Sequence, residues 1–467
     1  MASLSGLLGP RRTVEDSLAA TEEQGFTLRK DLGRLDIMVF GIGVMVGAGI
    51  FILTGQAAAT EAGPAVTLSF VLAAAVCVLC ALSYAELAAM VPVAGSAYTF
   101  SYATLGQLIA FVIGWDLVLE FTVGAAAVGV GAAGFIDAIL DRALGVSLPE
   151  SISAPPAEGG VVNLPAVALV ATLGALLFRG VRLTARANLV LVAVTIAVLL
   201  LVIAVGSTEV DTGNWDPYFP FGFDGVVGGA ALVFFAFIGF DIVATTAEEA
   251  RDPQRDLPQG IVGSLAVVTL LYVAVAAVLT GMVAYKKLTG DAPVVDAFEA
   301  TVGAGWLTVV IYAGALVAVT NTVLILLLGQ TRVAFAMARD HLLPRGLART
   351  HESFGTPHRV TVITTAAVAV LAGLVSLETL ATLVNIGTLF AFGVVSAGVI
   401  LLRRSDPDRE RPFRTPLVPA LPLLAIAGCI YLASTLDGQT WIRFVAWMVL
   451  GLVVYFGWAR RRAAQAG

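Results

Sequence analysis

Charge is what this chain has least of: Asp, Glu, Lys and Arg make up 13% of its 467 residues, about half the share of an ordinary soluble domain. A water-solvated fold of this length is excluded on that count. Lysine is scarcer still. Lys30, Lys286 and Lys287 are the whole complement, and none stands in an apolar stretch. The three histidines, His341, His351 and His358, share one polar connection. A membrane-embedded hydrolase, which needs a nucleophile with a base or a set of metal ligands at depth, therefore has neither. Cysteine is equally rare. Cys77, Cys80 and Cys429 lie inside apolar stretches and read as small packing residues, without disulfide, metal or cofactor. No basic patch suggests nucleic acid.

What is present is hydrocarbon. Hydrophobic residues are 58% of the chain, and they fall in blocks of about 20, enough to cross a bilayer as helices. The fold class is an all-α polytopic membrane protein. Twelve spans are expected near 36–59, 64–90, 105–134, 163–179, 187–207, 225–249, 259–283, 305–337, 358–376, 380–402, 418–435 and 440–459. The polar residues 1–35 precede the first block and carry Arg11, Arg12, Arg29, Lys30 and Arg34, so they read as a cytoplasmic tail rather than a secretory signal. Connections on that side of the membrane hold 23 of the 27 Lys and Arg, among them Arg179, Arg182 and Arg186, and Arg403, Arg404, Arg409, Arg411 and Arg414. The other side has Arg142, Lys286, Lys287 and Arg443. Basic connections stay inside, so both termini, including the tail 460–467, are expected in the cytoplasm and the chain in the cytoplasmic membrane.

Two spans are interrupted by glycine. The first is Ile37-Met-Val-Phe-Gly-Ile-Gly-Val-Met-Val-Gly-Ala-Gly-Ile-Phe51; the sixth is Gly228-Gly-Ala-Ala-Leu-Val-Phe-Phe-Ala-Phe-Ile-Gly-Phe-Asp241, which ends on an acid in mid-span. Each glycine inside a helix costs about 1 kcal/mol relative to alanine, so four within two turns invite unwinding. Close helix packing is the plainer use of such glycines. Two matching breaks argue otherwise, because lipid tolerates open backbone only where it lines a cavity. Paired interrupted helices in two halves point to a transporter's substrate site. Breaks in spans 1 and 6 imply five spans repeated as five in inverted topology, 36–207 and 225–402, followed by two helices over 418–459. All of 36–459 forms one transmembrane domain.

Five ordered motifs carry a resemblance. They are Gly43-Val-Met-Val-Gly-Ala-Gly-Ile-Phe51, Ala81-Leu-Ser-Tyr-Ala-Glu-Leu-Ala-Ala-Met-Val-Pro-Val-Ala-Gly-Ser-Ala-Tyr98 and Gly114-Trp-Asp-Leu-Val-Leu-Glu-Phe121. Phe234-Phe-Ala-Phe-Ile-Gly-Phe-Asp241, running on to Glu248-Glu-Ala-Arg-Asp-Pro-Gln-Arg-Asp-Leu-Pro258, and Asn385-Ile-Gly-Thr-Leu-Phe-Ala-Phe392 complete the set. From about residue 28 to about 430 the chain resembles the amino acid–polyamine–organocation superfamily, and within it the cationic amino acid transporter family in its twelve-helix bacterial form. The resemblance implies a leucine-transporter-type fold, alternating access, and an amino acid held between spans 1 and 6. It puts the substrate α-carboxylate on Val46, Gly47, Ala48 and Gly49, and the α-ammonium on Phe234, Ala236, Phe237 with Ile238 beside it, and on the carbonyl of Ile42. Elementary electrostatics agrees: a half-helix start presents N–H groups to an anion, and a half-helix end presents carbonyls to a cation. Phe237 is also a candidate aromatic gate.

Carboxylates at membrane depth come next. Glu120 lies mid-span on helix 3, where an acid is functional by default, with Asp116 one turn away on the same face. Glu120 is a candidate for the substrate's side chain or for a coupling proton. Glu86, Asp241, Glu248 and Glu249 are expected in salt bridges or caps of an inner gate. Relatives often carry a lysine on helix 5; reading across from Gly180-Val-Arg-Leu-Thr-Ala-Arg-Ala-Asn188, that position is Thr195 here. Three couplings stay open: protons through Glu120, sodium near Thr195 with Thr320 and Thr322, or exchange with no ion.

The function expected is a secondary amino acid permease, not an enzyme. Its substrates would be neutral or cationic amino acids, its co-substrate a proton or sodium, its surroundings the lipid bilayer, with room for a small single-helix membrane partner. The rivals are an ion-independent exchanger, a polyamine or amine antiporter on the same fold, and a channel, for which the spans are too apolar.

Overall fold

The computed structural model describes residues 32–93, 95–180, 185–290, 292–303, 305–349, 351, 356–460 and 462. The tail with Arg11, Arg12, Arg29 and Lys30, the residue Arg182, and most of the C-terminal tail lie outside the described residues, as do the side chains of Arg142 and Glu248. Among the described residues the chain is helical, and its one extended pairing is an isolated bridge between Leu32 and Ala250.

The first break separates α1 (Arg34–Met45) from α2 (residues 49–62, partly π-helical). Gly63, at φ 62°, and Pro64 turn the chain into α3 (Val66–Met90). A short α4 (Ala97–Thr104) leads to α5 (Gln107–Leu144), which stops at Gly145 in the left-handed region. There follow α6 (Leu164–Phe178), capped by the Asn163 side chain on the Ala166 amide, and α7 (Ala185–Gly206). The second break follows α8 (Gly222–Val233). Beyond it come α9 (Pro253–Met282), α10 (Pro293–Thr301), α11 (Trp306–Arg339) and α12 (His358–Leu374). The last three are α13 (Leu377–Ser405), α14 (Ala420–Ser434) and α15 (Gly438–Val454).

Eight helical stretches among the described residues are long and apolar enough to cross a membrane, and α6, α12 and α14 are shorter apolar helices. This is a multi-pass membrane protein. Helices such as α3, apolar around their whole circumference, suit burial against both protein and lipid. Many large apolar side chains are accordingly left exposed, among them Leu270, Ile442 and Val453.

α5 is the axis of the packing. It lies against α11 and α13, while α9 packs on α3 and α1, and α6 on α12. α15 docks on α5 through two tryptophans, Trp115 and Trp447, stacked with ring centres 4.6 Å apart. Each indole N–H donates to the other's backbone carbonyl, at 3.0 and 3.1 Å. A side chain at Gly451 would collide with Trp115. The arrangement sets the two broken helices against α3, α9 and α11, and brings the α5 carboxylates into the same interior.

Candidate functional site

α1 ends because Val46 leaves helical geometry, with φ −78° and ψ 95°. The break sits at Val46–Gly47, inside the glycine-rich stretch. The glycines serve closeness rather than the turn itself. A Cβ on Gly47 would lie 2.9 Å from the Thr322 hydroxyl, and one on Gly49 would fall on the backbone of Ala236. Among the described residues, the amides of Gly47 and Ala48 have no backbone acceptor, and the first amide of a helix, here Gly49, has no partner within it.

The second break begins after α8. A single 3₁₀ turn, Phe234–Phe237, is followed by a reversal through Ile238–Phe240 and a 3₁₀ segment, Ile242–Glu249. Gly239 sits at φ 120°, a conformation that side chains resist, and a Cβ there would strike Val44 of α1. The carbonyls of Phe237 and Ile238 accept no backbone hydrogen bond among the described residues. The Ile42 carbonyl already accepts the Val46 amide at 2.9 Å, leaving it one lone pair.

The structure thus brings Ile42, Val46, Gly47, Ala48, Gly49, Phe234, Ala236, Phe237 and Ile238 into one buried neighbourhood. Two side chains unforeseen in the sequence hold it. Tyr272 of α9 points its hydroxyl at the Met45 carbonyl (2.7 Å) and the Ala236 carbonyl (3.0 Å), one from each break. Asn385 of α13 donates to the Ala231 carbonyl at 2.8 Å. Phe237 meets Phe70 and Tyr272 in an aromatic cluster, ring centres 6.1 and 5.4 Å away.

Asp116, Glu120 and Asp241 are each 0% exposed, and no group meets their six carboxylate oxygens in full hydrogen-bond geometry. The groups facing them are the Thr388 hydroxyl at Glu120 and the amides of its own turn at Asp241. Glu120 lies within electrostatic reach of both Asp116 and Asp241, with Thr388 beside it. The Tyr84 and Thr388 hydroxyls are buried and meet no group in that geometry either. Asp241 makes no salt bridge; its carboxyl faces the backbone amides of its own turn, at Gly239, Asp241 and Ile242. Ser96 donates to its backbone carbonyl, at 3.0 Å. Glu86, by contrast, is paired as expected: Arg403 at 2.8 Å, Arg411 at 3.4 Å and the Thr415 amide at 2.7 Å. Glu249 pairs with Arg332 of α11 at 2.5 Å. No group of three or more metal-ligating side chains occurs among the described residues.

The helix 5 candidate, Thr195 on α7, spends its hydroxyl on the Leu191 carbonyl one turn back, at 3.0 Å. The α7 residues closest to Gly43 of α1 are Val192 and Asn188. Asn188 accepts from the Asn321 amide at 3.3 Å, and that amide also lies 3.4 Å from the Gly43 carbonyl. Thr322 reaches the first break itself, its hydroxyl 3.3 Å from the Gly43 carbonyl and 3.2 Å from that of Val46. Thr320 is half-buried, and no hydrogen bond ties it to the break. The signal for Tyr272, Asn188, Asn321 and Asn385 was available: each is a polar residue inside an apolar span.

A family model described as amino acid permease matches residues 32–455. The branched-chain amino acid permease BcaP of Bacillus subtilis is 45% identical over 98% of this chain and 99% of its own length. The methylthioribose transporter of the same organism is 42% identical over 97% and 98%. The chloroplastic cationic amino acid transporter 9 of Arabidopsis thaliana is 40% identical over 84% of this chain and 70% of its own.

Proposed function

The chain belongs to the amino acid permease family, and from that premise we propose that it carries amino acids across the cytoplasmic membrane by alternating access. The topology behind the proposal is twelve spans, five repeated as five in inverted orientation plus two, with both ends in the cytoplasm. The observation that carries it is the pair of breaks. Amides without backbone acceptors at Gly47 and Ala48 belong to one break and carbonyls without backbone donors at Phe237 and Ile238 to the other. The two breaks touch at Gly49–Ala236 and Gly239–Val44, so a zwitterion held between them answers both needs at once. Val46 to Gly49 take the carboxylate, where the half-helix start is positive. The Phe234–Ile238 turn, with Ile42, takes the ammonium.

The neighbourhood is apolar apart from its acids, so aliphatic neutral amino acids are the first substrates, with a cationic side chain directed at Glu120. A relative named for branched-chain amino acids agrees with that order. Coupling runs through Glu120, which accepts and releases the proton. The second reading is ion-independent exchange. It is favoured by the lack of any lysine at membrane depth and by a Thr195 hydroxyl engaged within its own helix.

The test is uptake of labelled leucine and arginine into proteoliposomes in sodium-free buffer, with and without an inward proton gradient. Accumulation driven by the gradient, and lost in Glu120→Gln, supports proton symport. Uptake that ignores the gradient but rises with amino acid trapped inside supports exchange. Competition by putrescine or methylthioribose as strong as that by leucine would sink the zwitterion site, since neither competitor carries an α-amino acid group.

A further inference from the structure

Far from the breaks, α6 and α12 enclose a trough of about 560 Å³ that opens sideways, away from the protein. The two helices approach so closely at its floor that a side chain on Gly174 would collide with Thr365. Its walls are small: Ala171 and Ala175, one turn apart on α6, and Ala366 and Ala369 on α12. Ala171, Ala175 and Ala366 are exposed, which in a membrane protein means facing lipid. The trough is therefore a hydrocarbon-lined slot within one leaflet.

One end of the slot is chemically different. α6 terminates there at Phe178, followed by Arg179, an exposed residue whose guanidinium has no partner among the described residues. Phe178 is held edge-on by His351 and His358, ring centres 5.7 and 6.4 Å away, and its carbonyl accepts the Thr356 hydroxyl at 2.9 Å. The mouth is thus built rather than loose. Arg359 follows His358 at the start of α12 and is exposed too. Neither α6 nor α12 contains an acid that could neutralise this end.

Size and charge together choose the occupant. A helix about 10–12 Å across and 5.4 Å in pitch displaces roughly 500 Å³ in a single turn, so the slot cannot seat a partner helix. It has the shape of a single hydrocarbon chain. The free guanidinium at its end wants an anion at headgroup depth, where each basic residue adds attraction to anionic lipid. We propose that the α6–α12 slot holds one acyl chain of an anionic glycerophospholipid, its phosphate on Arg179. On the orientation read from the basic connections, this is a lipid of the cytoplasmic leaflet.

The experiment uses the purified full chain in detergent. Native mass spectrometry counts retained dioleoylphosphatidylglycerol against dioleoylphosphatidylcholine, which has the same chains, and against glycerol 3-phosphate, which has none. Preferential retention of the phosphatidylglycerol is expected. Arg179→Ala should lower it about fivefold, the effect of one basic residue near the headgroup. Ala366→Phe, which fills the slot from its open side, should abolish it while leucine uptake persists. Equal retention of both lipids, retention unchanged in Arg179→Ala, or retention unchanged in Ala366→Phe would each overturn the proposal. Binding of glycerol 3-phosphate as strong as that of the lipid would also overturn it, reducing the mouth to a phosphate site. If Arg179→Ala fails to fold, Arg179→Gln carries the same test, with an unchanged melting temperature as its control.

Discussion

Glu86 and Glu120 are the same residue type at the same burial, 1% and 0% exposed, and the fold treats them in opposite ways. Around Glu86 every oxygen is answered: two arginines and a backbone amide converge on it from the segment 403–415. Around Glu120 there is no cation, only the Thr388 hydroxyl beside it, and Asp116 and Asp241 lie in the same interior. A fully matched buried charge is a structural clamp, whose removal strands its partners. An unmatched one has no counter-charge to strand, and here it is the carboxylate to which the proposed coupling role falls. Burial alone does not separate the two roles; the partners do.

The sharpest way to break the comparison is to delete both carboxylates in turn. Glu86→Ala should destabilise the protein by about 3–5 kcal/mol, because it leaves Arg411 buried without its counter-charge, and thermal melting in detergent reads this directly. Glu120→Gln should do the reverse, abolishing gradient-driven uptake while the melting temperature holds or rises. Were the two variants to melt alike, the distinction between a paired and an unpaired buried carboxylate would fail. Tyr272→Phe removes the hydroxyl shared between the breaks and should cost about 1 kcal/mol in stability, with weaker leucine binding by isothermal calorimetry. A full-affinity Tyr272→Phe protein would show that the bridge is not part of the site. The smallest effect is expected at Glu249–Arg332, both partly exposed. Arg332→Gln should change stability by at most about 1 kcal/mol, and that difference should shrink further in high salt.

The helical membrane architecture and both interruptions were legible from composition and glycine spacing, since hydrocarbon blocks and helix-breaking residues act locally. The pairing of Glu86 with an arginine was legible only as a type of contact. Which arginines answer it depends on how α13 and the loop after it return to α3, a long-range matter. Asp241 shows the same limit: a mid-span acid promises a partner, and only the folded break reveals that its neighbours are the amides of its own turn rather than an arginine. Position is harder still. Reading across from a family motif set Thr195 at the coupling position, yet the groups that touch the first break from α7 and α11 are Asn188, Val192, Asn321 and Thr322. Facing geometry is fixed by helix rotation, which a single sequence does not encode visibly. Trp115 and Trp447, 332 residues apart, likewise find each other only through the fold.

The Tyr272 hydroxyl has one hydrogen and faces two acceptors, the Met45 and Ala236 carbonyls. A phenol donates once, so in any instant one broken helix is satisfied and the other is left wanting. The two breaks therefore compete for a single proton donor, and a small swing of one ring transfers the deficit from helix to helix. If the proposed substrate ammonium binds beside the Ala236 turn, it supplies the donor that the single phenol lacks, and the Tyr272 hydroxyl is then free to stay with Met45.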